Sequence, residues 1–354
     1  MPVATAVVPD RGAIALALAD GSVALYELKA EKLRPVYDPP SSTITAFAAS
    51  ENGRYIALGQ ADGTLIILVI LDEEREAEED YKGNLREFFS LPPSGEKREY
   101  SIDSLAFGPS SERPAVGGRG SSLVILERRE DAWQSRTLLE PTNGGGTICA
   151  LAFDAEGRTL VSGGTNGKVH VWDTEKWSHV SSFPPGSDPV LSLDVNAEGT
   201  HIAAITAITT EQPVEGCANG EPFGKADSGE LKVTDRTGSQ PDDLQWTKEA
   251  SQNLGGNMFA EFTPSGNQLI AADSRGNIHA FDLHSGALLF TLQTEPYVAR
   301  REVEQNYKID GMDFGCARDG SCWLSIPGQI EVEDKQRKKW ILFGLGPLAT
   351  TSNN

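Results

Sequence analysis

The chain has 354 residues, and its 31 basic against 51 acidic residues give a formal net charge of −20. A surface that negative repels nucleic-acid phosphates and anionic lipid, so we expect neither nucleic-acid nor membrane-surface binding. No apolar run approaches the roughly 18–20 residues of a membrane-spanning helix, and the first residues do not indicate a secretory signal. The composition predicts an acidic, globular chain.

The dominant pattern along the chain is an internal repeat in seven copies. Each copy contains an apolar-x-x-apolar-x-apolar stretch, and in most copies a turn glycine follows four residues later. The fourth copy, beginning at Ile148, shows the pattern best and predicts strands at about 148–153, 159–163, 168–173 and 179–183. The turn glycine of this copy is Gly157, and the corresponding glycines of other copies are Gly12, Gly53, Gly199 and Gly266.

A second landmark recurs in register with the first. A turn glycine is followed five and six residues later by an aromatic or apolar residue and then an acid, as in Gly167 with Trp172–Asp173. Further copies begin at Gly21 and Gly276, while the copies at Gly229 and Gly328 keep only the acid. Four-stranded units at this period are typical of a propeller, in which sheets stack around a channel.

The sequence therefore predicts an all-β fold, a seven-bladed β-propeller with four-stranded antiparallel blades, in one domain over residues 1–354. In each blade the strands are named a to d from the channel outward. The predicted blades are approximately 3–39, 43–92, 101–140, 147–184, 189–248, 257–293 and 308–345.

The Trp172–Asp173 dipeptide, the Asn166–Gly167 turn and the I-x-x-L-x-F-D-x-x-G frame resemble WD40 repeats. The resemblance covers about residues 3–345 and implies a rigid disc that presents its faces to protein partners. The family usually carries a Gly-His dipeptide whose His joins a buried hydrogen-bond network. None of the five histidines here follows a glycine, so that network is expected to be absent or rebuilt.

Ring closure is expected to depart from the family. Val3 already lies in a first strand, so no outer strand precedes it, and Lys339–Phe343 is predicted to supply the outer strand of the last blade. Blades 1 and 7 would then meet only through side-chain packing. We therefore hypothesise that a partner or a neighbouring domain holds the ring shut, or that the chain is a segment of a longer protein.

Three insertions mark where this propeller is specialised. Asp72–Asp80 is a run of acids in the c–d connection of blade 2, either a solvated loop or a docking site for a basic partner. Ala207–Ser228 lies between strands b and c of blade 5, on the channel-entrance face. Gln293–Tyr307 links blades 6 and 7 on that same face, and we favour these two loops as a contact surface over plain loop decoration.

The entrance face is predicted to gather Arg, Lys and aromatic residues that bind an acidic or extended peptide, the alternative being scattered solvated arginines. The candidate partner-binding residues are Tyr100, Arg119, Trp246, Arg275, Tyr297, Arg300, Arg301 and Lys308.

Signatures of catalysis are weak. The segments Gly163–Lys168 and Gly117–Ser122 are glycine-rich, but they lack the phosphate-loop spacing and are interpreted as hairpin turns. His170 and His279 fall at matching positions of strand c, which favours a structural role. No catalytic residue, cofactor or metal site is predicted, and the alternative function is a propeller lactonase or hydrolase with its site at the channel mouth.

The four cysteines, Cys149, Cys217, Cys316 and Cys322, are too few for a disulfide scaffold, which fits a cytoplasmic location. Cys316 and Cys322 flank a tight segment and could face each other across a hairpin, so a disulfide there stays open. The sequence as a whole predicts a non-catalytic scaffold or adaptor subunit, a monomeric propeller within a hetero-complex or a larger chain, with proteins or peptides as its partners.

Overall fold

The computed structural model describes residues 2–18, 20–37, 43–70, 86–90, 101–119, 122–129, 132–139, 146–184, 188–208, 217, 228–236, 243–248, 259–273, 277–293, 307–309, 312–316, 322–332 and 335–345. In these ranges the chain forms 28 strands in seven sheets and one short 3-10 helix, Pro9–Arg11. No helix among them is long and apolar enough to cross a membrane.

Six sheets are antiparallel meanders of four consecutive strands, as the repeat predicts. The first three sheets consist of β1 (Pro2–Val8), β2 (Ala13–Leu18), β3 (Val23–Glu27), β4 (Lys32–Tyr37); β5 (Ile44–Ala49), β6 (Tyr55–Gln60), β7 (Thr64–Val69), β8 (Arg86–Ser90); β9 (Ile102–Phe107), β10 (Pro114–Gly118), β11 (Ser122–Arg129) and β12 (Ala132–Leu139). The next three consist of β13 (Ile148–Phe153), β14 (Thr159–Gly164), β15 (Val169–Asp173), β16 (Ser178–Phe183); β17 (Val190–Val195), β18 (His201–Ile208), β19 (Ser228–Asp235), β20 (Asp243–Lys248); β21 (Phe259–Phe262), β22 (Gln268–Ala272), β23 (Asn277–Asp282) and β24 (Leu288–Gln293).

The turn glycines of the first landmark adopt the conformation that the hairpins require. Their φ angles lie between 58° and 71°, in the left-handed region that glycine occupies without steric cost, at Gly12, Gly53, Gly157, Gly199 and Gly266. The second landmark is confirmed at Gly21 and Gly167, which also have positive φ, whereas Gly276 lies outside the described residues. Gly229 departs from it, because it lies inside β19, opposite Ala207, and not in a turn.

Neighbouring sheets pack face to face through apolar layers. Ile56 and Leu58 of the second sheet are fully buried against the first sheet, and Val161 and Val171 of the fourth sheet are buried against the fifth. Similar layers join each sheet to the next as far as the seventh. Antiparallel sheets stacked in this way form a β-propeller.

The glycine-rich segments of the third and fourth sheets are packing positions at the ends of strands. A Cβ on Gly163 would fall 2.7 Å from Val190 of the fifth sheet, and one on Gly164 would fall 1.9 Å from the Thr147 carbonyl oxygen. Gly117 and Gly118 repeat both close approaches one sheet earlier. Each glycine pair lies at the end of a strand, and the turn that follows leads into another strand of the same sheet. The interpretation as hairpin turns is therefore confirmed, and a phosphate loop, which would lead into a helix, is excluded.

The seventh sheet differs from the other six. It contains β25 (Tyr307–Ile309), β26 (Asp313–Cys316), β27 (Cys322–Val332) and β28 (Lys335–Leu345), with β25 and β26 pairing successive parts of β27. One expectation is wrong here, because Gly328 lies within β27 and not in a turn. Lys339–Phe343 belongs to β28, which is the outermost described strand of the sheet, as predicted, but the third strand and not the fourth.

The first and seventh sheets meet without an exchanged strand among the described residues, because each uses only its own strands. We call the contact between two neighbouring sheets a seam. Packing across the seam between the first and seventh sheets is close, since a Cβ on Gly315 would fall 2.7 Å from Val7. The seam is also polar, since the backbone N–H of Val7 donates a hydrogen bond to the Asp313 carboxylate. Closure by side-chain packing alone was therefore an incomplete expectation.

Candidate interaction site at the channel entrance

The entrance face is the side of the ring where the a strands begin and the b–c turns lie. Three b–c turns share one local design, in which an Asp or Asn accepts a hydrogen bond from the backbone N–H two residues later, at 3.0 Å in each case: Asp20 to Ser22, Asp62 to Thr64 and Asn166 to Lys168. Because this Asx motif and a positive-φ glycine together fix the chain, these turns form a rigid rim.

Each of the second to fifth a strands carries a β-bulge near its entrance end. One residue per strand is left out of the pairing with strand b at the same place in the repeat, and these residues are Thr45, Asp103, Cys149 and Leu191. Bulges re-aim the side chain of the extra residue and are frequent at rims and functional sites. The sequence pattern did not reveal them, because a bulge adds a residue without changing the apolar spacing.

A polar group surrounds one of these bulges. The Ser101 hydroxyl donates to the Asp103 carboxylate at 2.7 Å, and the backbone N–H of Arg119 donates to the Ser101 carbonyl oxygen at 3.2 Å. Burial raises the pKa of Asp103, opposed by the Ser101 hydrogen bond and the Arg119 charge. Arg119 itself is exposed, so this corner of the rim presents a cation to solvent above a half-buried acid.

A disulfide ties the insertion of the fifth sheet to the bulge of the fourth. Cys149 of β13 and Cys217 are bonded, with their Cα atoms 5.1 Å apart and 68 residues between them in sequence. This bond could not be predicted from the sequence, because nothing in the repeat pattern brings together two positions so far apart. Cys322 is also disulfide-bonded and lies opposite Cys316 in the ladder, as the alternative hairpin bridge would require.

Polar groups on the inner strands link neighbouring sheets. The Thr45 hydroxyl donates to the Ile102 carbonyl oxygen at 2.6 Å, and the Ser104 hydroxyl donates to the Ile148 carbonyl oxygen at 3.1 Å. These bonds join the second sheet to the third and the third to the fourth, close to the entrance.

Carboxylates take over this linking role in the fifth, sixth and seventh sheets. Asp194 accepts from the backbone N–H of Phe262 at 2.6 Å, and Glu261 accepts from the N–H of Phe314 at 2.7 Å. Asp313 continues the series to Val7 of the first sheet. Three consecutive seams are thus each spanned by an acid of the inner strand, and the last of them closes the ring.

Burial dominates the electrostatics of these three acids. It raises the pKa of Asp194 and of Asp313 to about 7, although the backbone hydrogen bonds act in the opposite direction. The pKa of Glu261 is raised well above its usual value, first by burial and then by the charges of Asp313 and Asp194. One side of the channel wall is therefore lined by weakly acidic carboxyl groups.

The opposite side of the channel wall is apolar at the matching places. The residue before the last apolar position of the inner strand is alanine in the second to fourth sheets: Ala48, Ala106 and Ala152. The sequence analysis did not single out the three acids. The available signal was a carboxylate in an otherwise apolar strand, which is rare without a specific partner.

The predicted contact residues are only partly within the described ranges. Arg119 lies on the b–c turn of the third sheet, at the entrance as expected. Lys308 lies in β25, opposite Gln329. Trp246 lies in the middle of the outer strand β20, opposite Val233, and not in a d–a loop. Outside the described residues are Tyr100, Arg275, Tyr297, Arg300 and Arg301.

His170 and His279 occupy matching positions of strand c, as predicted. His170 Nδ1 lies 2.7 Å from the hydroxyl of Ser182 on the adjacent outer strand, and His279 Nδ1 lies 3.0 Å from that of Thr291. Burial lowers the pKa of His170 to about 4, so it is neutral at pH 7. In the part of the chain that the structure describes, no three His, Cys, Asp or Glu side chains are placed to hold a metal ion.

Trp172 of the fourth sheet is the buried centre of a polar and aromatic group. The Trp172 indole N–H donates to the Ser162 hydroxyl at 2.9 Å, with both residues buried. His170 and His179 pack around the same Trp at ring distances of 6.3 and 5.5 Å. Both histidines also lie within hydrogen-bond distance of the Ser182 hydroxyl, His170 Nδ1 at 2.7 Å and His179 Nε2 at 2.6 Å.

Comparison with known proteins agrees with this architecture. The family model "WD domain, G-beta repeat" (WD40) matches residues 134–173, a stretch that begins in β12 and ends at the Trp172–Asp173 dipeptide. One repeat therefore runs from the outer strand of the third sheet through the first three strands of the fourth. The chain is thus a β-propeller in which residues 134–173 match a WD40 repeat.

Two known proteins are similar to the chain, one in sequence and one in structure. "APC/C activator protein CDC20" of Saccharomyces cerevisiae is 26% identical over 160 residues, which are 43% of this chain and 23% of that protein. The chain therefore matches about a quarter of that relative's length. The crystal structure of the Myceliophteria thermophila Cps50 (Swd1) β-propeller domain superposes with a TM-score of 0.63 at 13% identity, covering 97% of both chains. This second likeness concerns the fold alone.

Proposed function

We propose that this chain is a non-catalytic scaffold or adaptor subunit that binds another protein, or a peptide of it, across the entrance face. The observation that carries the proposal is the Cys149–Cys217 bond, which fixes Cys217 of the long b–c insertion at the channel mouth. Arg119 lies exposed on the neighbouring rim. A relative named as an activator protein of APC/C supports a role exerted through other proteins.

The proposed contact surface combines the insertion Ala207–Ser228 with the connection Gln293–Tyr307 between the sixth and seventh sheets. A cation on the rim of a chain with a net charge of −20 favours an acidic or extended peptide as the bound element. The residues proposed to contact it are Tyr100, Arg119, Arg275, Tyr297, Arg300, Arg301 and Lys308, without Trp246, which lies in the outer strand β20.

Affinity purification from the native cells tests this function. The tagged full chain is compared with a variant in which residues 209–227 are replaced by a short Gly-Ser linker, and bound proteins are quantified by mass spectrometry. A stoichiometric partner that is lost with the insertion supports an adaptor that works through the entrance face. Full retention of every partner by the variant refutes that placement.

We also propose that the seventh sheet is a seventh blade of the ring. It shares an apolar layer with the sixth sheet, and it meets the first sheet through the Val7–Asp313 hydrogen bond. An experimental density map of the isolated chain tests this: seven sectors are expected, and an open ring of six contradicts it.

A propeller hydrolase is the second candidate, because Asp194, Glu261 and Asp313 have the raised pKa values of acid–base groups. Each of them already accepts a backbone hydrogen bond that holds neighbouring sheets together, which favours the structural role. Lactone and ester hydrolysis by the wild type and by Glu261→Gln separates the two. Turnover that the substitution abolishes favours the enzyme.

We also propose that the protein is cytoplasmic, because it has only four cysteines, and that it is a monomeric propeller. Disulfides persist mainly in oxidising compartments. Alkylation of the protein in intact cells, followed by mass spectrometry, reports whether Cys149 and Cys217 are bonded there. Free thiols support the cytoplasm, and a protected pair contradicts it.

A further inference from the structure

Among the described residues, no strand lies at the outer edge of the seventh sheet, where the other six sheets have their fourth strand. Each of those sheets has a fourth strand: β4, β8, β12, β16, β20 and β24. In the seventh sheet β25 and β26 lie on one side of β27, and β28 lies on the other. No described strand pairs with the far edge of β28, so this sheet is three strands wide.

The open edge is unusually long. β28 has 11 residues and pairs β27 along its whole length, from Leu345 opposite Cys322 to Lys335 opposite Val332. The third strands of the other sheets have five to eight residues. A long edge exposes a row of backbone N–H and C=O groups, and such a row pairs readily with an added strand.

The sequence of β28 divides into two halves of different chemistry. Its first five residues, Lys335–Lys339, include four bases, in a chain with a net charge of −20. The remaining six, Trp340–Leu345, are apolar apart from one glycine. Lysines on an edge strand commonly prevent edge-to-edge association, but here they protect only one half and leave the apolar half open.

We propose that the outer edge of β28 binds an extended segment of another protein as the fourth strand of the seventh sheet. In all six complete sheets the fourth strand runs antiparallel to the third. An antiparallel addition places the first half of the bound segment along Trp340–Leu345 and the second half along Lys335–Lys339. The segment is therefore apolar and β-branched in its first half and acidic in its second. This surface is separate from the entrance face and goes beyond the function proposed above.

Fluorescence anisotropy with designed peptides and the full-length chain tests this surface. The probe is a labelled 12-residue peptide with alternating Val and Thr over its first six residues and alternating Glu and Thr over its last six. The matched control has the same composition with the glutamates in the first half. We expect the probe to bind at least about tenfold more tightly than the control, and equal affinities overturn the proposal.

Charge reversal and backbone methylation separate strand addition from simple charge attraction. A variant with K335E, R337E, K338E and K339E should lose the probe and bind the same peptide with Lys in place of Glu. On the wild-type chain, N-methylation of alternate probe residues should abolish binding in one frame and be tolerated in the other, because only alternate N–H groups face the edge. Equal effects in both frames overturn strand addition even if the variant fails to fold.

Two other occupants are outcomes of the same experiment. If the probe binds only after residues 346–354 are removed, the chain's own C-terminal residues fill the edge, and the proposal of a partner is overturned. If the full chain forms a dimer that β28 charge reversal dissolves, as measured by light scattering, a second copy is the occupant. Both results leave the entrance-face function untouched.

Discussion

Replacing Asp313 by Asn should make the stability of the ring less dependent on pH. Asp313 accepts the Val7 N–H across the seam between the first and seventh sheets, and burial raises its pKa to about 7 from a model-compound value of 3.8. Asn keeps a carbonyl oxygen for that N–H and removes the charge. The substitution thus separates the hydrogen bond from the cost of a buried carboxylate.

The sign follows from proton linkage. With a higher pKa in the folded protein than in the unfolded chain, Asp313 binds more protons when folded at pH values between about 4 and 7. The contribution of Asp313 to the free energy of unfolding therefore falls as the pH rises through this window and is constant above it. A difference of about 3 pKa units corresponds to about 4 kcal/mol as an upper limit. Because Asp313 is only half-buried at the channel wall, we expect roughly 1–2 kcal/mol between pH 5 and pH 8.

Urea denaturation at pH 5, 6, 7 and 8 measures this effect. Asp313→Asn should be more stable than the wild type at pH 8 by about 1 kcal/mol and should show a flatter pH profile. Glu175→Gln, at an exposed carboxyl in the turn after β15, is the matched control and should keep the wild-type profile. If Asp313→Asn keeps the full pH dependence, or is less stable than the wild type at pH 8, the assignment of a destabilising buried carboxylate to the contact between the first and seventh sheets is wrong.

Three further substitutions test the packing and the covalent link. Cys149→Ser removes the bond to Cys217 that closes a loop of 68 residues, and loop-closure entropy sets an upper limit of about 4 kcal/mol for the loss of stability relative to the oxidised wild type, measured by urea denaturation. Ser162→Ala leaves the buried Trp172 indole N–H without its acceptor and should cost about 1–3 kcal/mol, with a changed tryptophan emission spectrum. Gly163→Ala forces a methyl group against the inner strand of the next sheet and should lower the free energy of unfolding by about 1–3 kcal/mol, whereas an unchanged thermal midpoint would contradict the close approach.

The regular part of the fold was predictable because it is local. The fourth copy predicted strands at about 148–153 and 159–163, and the structure has Ile148–Phe153 and Thr159–Gly164. Turn glycines such as Gly157 are tied to their φ angles by the chain within a few residues. Apolar alternation and turn chemistry act over that same range, so the sequence carries them openly.

The departures were not predictable because they depend on contacts far along the chain. Cys149 and Cys217 meet only because the fifth sheet stacks on the fourth. Asp313 is identified as a seam residue only once Val7, at the other end of the chain, lies beside it. In the seventh sheet the strand order was predicted wrongly, because the turn of the long β27–β28 hairpin lies beyond Gly328. The strands after that point were therefore each assigned one place too far out in the sheet.

The most direct test of the account is a titration of the purified chain with the partner recovered by affinity purification. One variant, R119E with K168E, reverses two exposed charges on the entrance rim, and a charge-matched variant, R158E with K176E, reverses two on the opposite face. We expect calorimetry to show an affinity for the partner that is about tenfold or more lower in the first variant and unchanged in the second. Binding that survives the first variant and is lost in the second would contradict a partner site at the channel entrance.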